Sequence, residues 1–212
     1  MADSNDNQKR VTIALKSVYC VDTEDITGAD ELYVAGGAGT GPRSGAKHKA
    51  ILTKAIDINS GQQKILSGDE YVIFDDNVYV DDFVELGLEF RDQDFSENDF
   101  NAKYVALVSA LTGAIGTAVG SLATPAVGAV AGAILAATPP ALISVLASID
   151  KDDVLGTVQK RVNVAAYPDG RSGPFKWKFS DRKPNIVEET GLLAWSDWDY
   201  EVSYVIDVSP AQ

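Results

Sequence analysis

Carboxylate side chains are concentrated in three clusters along the 212-residue sequence, and each cluster lies near the end of a predicted strand. The clusters comprise Asp22, Glu24, Asp25 and Asp30; Asp92, Asp94 and Asp99; and Asp150, Asp152 and Asp153. Carboxylates brought close together repel one another, whereas Ca²⁺ accepts roughly six to eight oxygen ligands in a flexible geometry. The clusters therefore indicate a calcium site, and solvated acidic turn residues are the alternative interpretation.

The segments that must position these carboxylates have the alternation of apolar and polar residues that is typical of β-strands. The clearest case is Phe175, Trp177 and Phe179, which alternate with lysine and serine. The pattern predicts a mainly β fold, an antiparallel β-sandwich, with a Gly-rich loop over residues 36–42. About eight strands are expected, at residues 11–20, 31–36, 48–58, 70–80, 83–91, 157–165, 175–179 and 200–208.

Residues 104–149 contain no charged side chain and separate the second acidic cluster from the third. Their large and small apolar residues recur with helical spacing, and Thr124-Pro125 provides a turn followed by proline at a helix start. The stretch predicts an Ala/Gly-rich α-helical hairpin. The expected organisation is a polar tail at residues 1–10, a discontinuous β-sandwich at residues 11–100 and 150–212, and the hairpin insertion at residues 101–149.

Three short segments resemble the calcium loops of C2 domains. Residues 25–34 (DITGADELYV) are similar to the first loop, residues 90–99 (FRDQDFSEND) to the third, and residues 152–156 (DDVLG) to the sequence that closes the third loop. The resemblance implies a C2-like sandwich with the helical hairpin inserted in the third calcium loop, at the end of the domain that contacts phospholipid. It implies calcium ligation by Asp25, Asp30, Asp92 and Asp94, with Asp99, Asp152 and Asp153 competing for the remaining place.

The uncharged hairpin has three alternative roles: conditional insertion into a membrane, burial as a helical layer against the sandwich or against other copies of the protein, and permanent membrane anchoring. About 20 apolar residues span a bilayer, so residues 104–149 are long enough for two crossings. Two GxxxG pairs allow helices to pack closely in lipid, and Ala- and Gly-rich helices also pack closely in water. The predicted membrane or oligomer contacts are Leu111, Ile115, Gly116, Gly120, Gly128, Gly132 and Ile134.

We therefore expect a calcium-dependent protein whose hairpin inserts into or perforates a phospholipid bilayer. The alternative is a structural self-assembling protein, such as a component of a filament, sheath or secreted particle, in which the hairpin joins subunits. A homo-oligomer is expected in both cases, because an exposed apolar surface of this size drives association.

Composition and motifs argue against several other classes of function and kinds of site. A net charge of −13 and a sequence pI near 4.4 argue against nucleic acid as the main partner. The single cysteine rules out an internal disulfide and a cysteine-based zinc site. No catalytic spacing or P-loop is present, so an enzyme is not expected. Residues 1–10 lack the apolar core of a Sec signal peptide, which predicts a protein made in the cytoplasm. The alternatives from there are a cytosolic location, association with a membrane, and export by a non-classical route.

Overall fold

The computed structural model describes residues 7–23, 29–45, 47–92, 154–186 and 193–211. These ranges contain strands β1 to β10, with the bounds Gln8–Asp22, Asp30–Thr40, His48–Leu52, Ile56–Ile58, Gln63–Ile65, Val72–Tyr79, Phe83–Asp92, Val154–Asn163, Gly170–Ile186 and Leu193–Pro210. Single 3-10 turns occupy Pro42–Ser44, Asp69–Tyr71 and Val164–Ala166. The helical hairpin predicted for residues 101–149 lies outside the described residues. Within the described ranges, no helix has the length and hydropathy needed to cross a bilayer.

The ten strands form two antiparallel sheets, which we call sheet A and sheet B. Sheet A has the order β5-β1-β10-β9, and β6 pairs with another part of the same edge of β1. Sheet B has the order β3-β2-β7-β8, and β4 shares the edge of β2 with β3. The prediction of a mainly antiparallel β fold is confirmed. The strand predicted over residues 48–58 is divided into β3 and β4, and β5 had no counterpart in the sequence pattern.

One hydrophobic core joins the two sheets, because alternate residues of the central strands point into the same interior. These inward-facing residues are almost completely buried: Val11, Ile13 and Leu15 on β1; Val84, Leu86, Leu88 and Phe90 on β7; and Val202, Tyr204 and Ile206 on β10. Across the interior, the ring of Phe90 lies 4.9 Å from that of Phe179 and 6.0 Å from that of Trp177. Trp177 therefore packs against the core, as its position in the alternating strand predicts.

The prediction of a Gly-rich loop over residues 36–42 is wrong for residues 36–40, because these residues lie inside β2. Gly36 faces Leu88 of β7 in the sheet register. A Cβ atom at Gly36 would overlap the carbonyl oxygen of Gly87 and would lie 2.9 Å from the Cα atom of Leu88. Glycine is thus required at this position by the close approach of two central strands.

Candidate functional site

Four strands begin or end at the same end of the molecule, which we call the acidic end. At this end, β1 ends at Asp22 and β7 ends at Asp92, whereas β2 begins at Asp30 and β8 begins at Val154. In sheet B, Asp92 pairs with Leu32, and the neighbouring Arg91 pairs with Val154. The structure thus brings the first and second acidic clusters together through Asp30 and Asp92.

Other predicted ligands follow or precede these strand ends directly in the sequence. Asp94 comes two residues after β7 ends, and Asp152 and Asp153 come immediately before β8 begins. The segment that contains residues 104–149 therefore leaves sheet B and rejoins it through adjacent strands at the acidic end. The remaining predicted ligands and hairpin contacts lie outside the described residues: Asp25, Asp94, Asp99, Asp152, Asp153, Leu111, Ile115, Gly116, Gly120, Gly128, Gly132 and Ile134.

Asp30 lies fully buried beneath the acidic end, where it joins the two sheets. The phenolic hydroxyl of Tyr200 on β10 donates a hydrogen bond to Oδ2 of Asp30. Burial, together with this hydrogen bond and the negative charge of Asp30, raises the pKa of Tyr200, so the phenol stays protonated as a donor. A charge-assisted hydrogen bond compensates part of the cost of burying a carboxylate. The sequence pattern identified Tyr200 only as part of a strand and missed this pairing.

Asp92 is also buried, and it fastens the end of β7 to the start of β2. Its Oδ1 atom accepts a hydrogen bond from the backbone N–H of Glu31 at 2.7 Å. Asp92 thus contacts the backbone of the residue that follows Asp30, which places the two carboxylates at neighbouring positions of β2 and β7. Among the described residues, no group of three or more His, Cys, Asp or Glu side chains is arranged to hold a metal ion.

The turn between β4 and β5 covers the end of β1 at the acidic end. Ser60 Oγ donates to Oδ1 of Asp22 at 3.1 Å, and the backbone N–H of Thr23 donates to Ser60 Oγ at 3.1 Å. The backbone N–H of Cys20 donates to the carbonyl oxygen of Gln62 at 2.9 Å. These contacts connect sheets A and B below the loops, and burial raises the pKa of the Cys20 thiol to about 11.

The hairpin of β9 and β10 projects past the acidic end. Pairing between β1 and β10 stops at Asp22 and Asp199, whereas β9 and β10 remain paired as far as Ile186 and Leu193. Six residues of an extended strand measure roughly 20 Å, which sets the reach of this projection. Trp198, near its base, packs against the core. Trp195 and Trp198 both belong to β10.

Removing the hydroxyl group of Tyr200 by Tyr200→Phe is expected to lower the free energy of unfolding by about 2 kcal/mol. The substitution leaves the ring in place but deprives the buried carboxylate of Asp30 of a hydrogen bond. Urea unfolding monitored by circular dichroism measures the change. Tyr19→Phe is the matched control, because Tyr19 is 39% exposed and should change stability by less than about 0.5 kcal/mol. Equal stabilities for Tyr200→Phe and the wild type would show that the bond contributes nothing.

Comparison with solved structures yields a remote likeness, whereas the comparisons with protein families and curated proteins yield none. No protein-family model matches the chain, and no curated protein matches it. A solved structure similar to this chain is that of human GIVD cytosolic phospholipase A2 in complex with methyl gamma-linolenyl fluorophosphonate, with a TM-score of 0.40 and 8% sequence identity. The match covers 97% of this chain and 18% of the phospholipase chain, so this chain spans less than a fifth of that protein. A likeness at this TM-score carries no argument about function.

Proposed function

We propose that this protein binds phospholipid membranes in a calcium-dependent manner, without catalysis, and that residues 104–149 enter the bilayer from the acidic end, in an oligomer. The observation that carries the proposal is the adjacency of β7 and β8 at Arg91 and Val154. Because of it, the uncharged segment is anchored at both ends to one end of a rigid sandwich. Such an anchor can deliver an apolar segment to a surface without unfolding the β core.

The chemistry of the segment supports a bilayer as its target. Residues 104–149 have no side chain whose charge must be neutralised in hydrocarbon, and each predicted helix carries a GxxxG pair for close contact. The β9–β10 hairpin projects past the acidic end and includes Trp195, a residue type enriched at membrane interfaces.

Calcium is proposed because the acidic end would otherwise repel anionic headgroups. The protein carries a net charge of −13, and Asp22, Asp30 and Asp92 gather at this end. Carboxylate oxygens are the ligands that Ca²⁺ prefers, so the donor chemistry fits. Asp30 and Asp92 would hold the ion together with ligands from Asp25, Asp94, Asp99, Asp152 and Asp153. The bound cation would offset the local negative charge next to the lipid.

Flotation with vesicles of phosphatidylcholine and phosphatidylserine tests the role of the apolar segment. We expect the wild type to float with calcium, and Leu111→Glu combined with Ile115→Glu to float several-fold less, because charges are costly in hydrocarbon. Ile65→Glu is the matched control, since Ile65 is 73% exposed on the short edge strand β5. Equal flotation of all three proteins would contradict insertion. Absence of flotation, with a large discrete species in solution, would favour the self-assembling alternative.

The calcium dependence has its own test in Asp92→Asn combined with Asp94→Asn. An asparagine side-chain oxygen still accepts the hydrogen bond from Glu31, so the junction of β2 and β7 is retained while negative charge is removed. We expect calcium-dependent flotation to be lost in this variant and preserved in Asp69→Asn, which alters an exposed carboxylate in a 3-10 turn. Flotation of the double variant at the wild-type calcium concentration would remove Asp92 and Asp94 from the ligand set.

A further inference from the structure

The two central strands of sheet B, β2 and β7, are buried on both of their faces. Val34 and Phe90 point into the core between the sheets, so the residues that alternate with them point away from sheet A. We call this second surface the outer face; on β2 and β7 it consists of Tyr33, Ala35, Gly37, Gly39, Glu85, Gly87, Glu89 and Arg91. Tyr33 and Ala35 are completely buried, and Glu85 and Glu89 are only 1% and 2% exposed. A sheet face that points away from its partner sheet is exposed unless another layer covers it.

No strand of the described ranges supplies that layer. All ten of their strands belong to sheets A and B, so no described strand forms a third sheet over the outer face. Tyr33, Ala35 and Leu52 are buried, yet they are not members of the core cluster between the sheets. Because their burial arises within a single chain, the covering layer must belong to this chain.

The outer face is flat in the middle and electrically balanced. Its centre is formed by small residues, with Gly37 paired with Gly87 across the two central strands and with Ala50 on β3. Its charges are paired within the face: Arg91 donates to Glu89 at 3.0 Å, and Arg161 of β8 pairs with Glu85. Such a face needs no counter-charge from the layer above it, and its lack of side chains allows a helix to approach closely.

We infer that residues 104–149 cover the outer face of sheet B in the lipid-free protein. Their sequence is uncharged and rich in alanine and glycine, which matches a face of small residues with internally paired charges. They are contained in the connection from β7 to β8, the two strands that carry Glu85 and Arg161. The other segments outside the described ranges are short, the longest interior one being residues 187–192. The inference holds whether or not the protein binds membranes.

Thiol cross-linking in lipid-free buffer tests the inference. Thr157 lies opposite Glu89 on the outer face and is exposed at its rim, so Thr157→Cys provides a reactive position. The chain's own cysteine, Cys20, is completely buried and does not compete. A second cysteine replaces Ala114 or Ala133 in the apolar segment, and a short bifunctional maleimide joins neighbouring thiols.

We expect at least one of these cysteine pairs to give about tenfold more intramolecular cross-linked product than a control pair. The control pair combines the same cysteine in residues 104–149 with Lys178→Cys. The yields should differ because tethered thiols react only where their geometry permits contact. Lys178 is exposed on sheet A, which makes it the matched control. Gln159→Cys, opposite Gly87, provides a second rim position if Thr157→Cys does not fold. Equal yields at the rim and at Lys178, or no product at either rim position, would overturn the inference. Flotation of the uncross-linked wild type tests the proposed function separately.

Discussion

Gly36→Ala is expected to lower the free energy of unfolding by at least about 4 kcal/mol, a loss that only severe structural conflicts produce. The added Cβ would meet backbone atoms, the carbonyl oxygen of Gly87 and the Cα atom of Leu88, rather than a side chain that can rotate away. Relief requires β2 and β7 to separate, and these are the two central strands of sheet B. Urea unfolding of the purified variant measures the loss.

Gly61→Ala provides the control for Gly36→Ala. Gly61 has a φ of +76° but nothing within 4 Å of an added Cβ, so its substitution should cost only about 1–2 kcal/mol of backbone strain. The difference between the two variants isolates the close approach of the strands. Similar losses for Gly36→Ala and Gly61→Ala would contradict the packing described for the centre of sheet B.

Arg91→Met is expected to cost about 3–5 kcal/mol at neutral pH, because it leaves the carboxylate of Glu89 buried without its cationic partner. Burial raises the pKa of Glu89, whereas Arg91 opposes that rise, so the substitution should raise this pKa further. A carboxyl group whose pKa is higher in the folded state destabilises the fold when it is ionised. The deficit of the variant should therefore shrink as the pH falls through the folded-state pKa of Glu89.

Unfolding free energies measured from neutral to mildly acidic pH test this expectation. Lys47→Met is the control, because the pair of Lys47 and Asp76 is largely exposed and should contribute less than about 1 kcal/mol. Combining Arg91→Met with Glu89→Met should recover much of the lost stability, since both charges are then removed. A deficit that grows on acidification would contradict the account of Glu89.

Alternation of apolar and polar residues predicted most of the strands but could not predict what covers them. In β7, the periodicity separates Leu86 and Leu88 from Glu85 and Glu89, and a charged face is usually solvated. The structure instead buries both glutamates beside their arginine partners. Periodicity records which residues share a face, whereas burial depends on layers contributed by distant parts of the chain.

Long-range contacts also explain what the sequence pattern missed at the centre of sheet B and at the acidic end. Taken alone, the glycine-rich sequence of residues 36–40 is typical of a loop. In the structure it lies in β2, and the close approach of Gly87 on the neighbouring strand is what requires a glycine at position 36. The resemblance to C2 calcium loops implied that Asp30 and Asp92 belong to one end of the fold. The pairing of Asp30 with Tyr200 joins residues far apart in the chain, so spacing gave no signal for it.

The most direct test of membrane insertion is to measure whether residue 115 lies among the lipid acyl chains when lipid is present. An environment-sensitive fluorophore attached to Ile115→Cys should be quenched by nitroxide groups on lipid acyl chains when calcium and vesicles containing phosphatidylserine are present. The buried Cys20 leaves the introduced thiol as the labelling site. Calcium-dependent insertion predicts strong quenching with calcium and little without it. Fluorescence that is unaffected by the nitroxide lipids, in vesicles with calcium, would contradict insertion of residues 104–149.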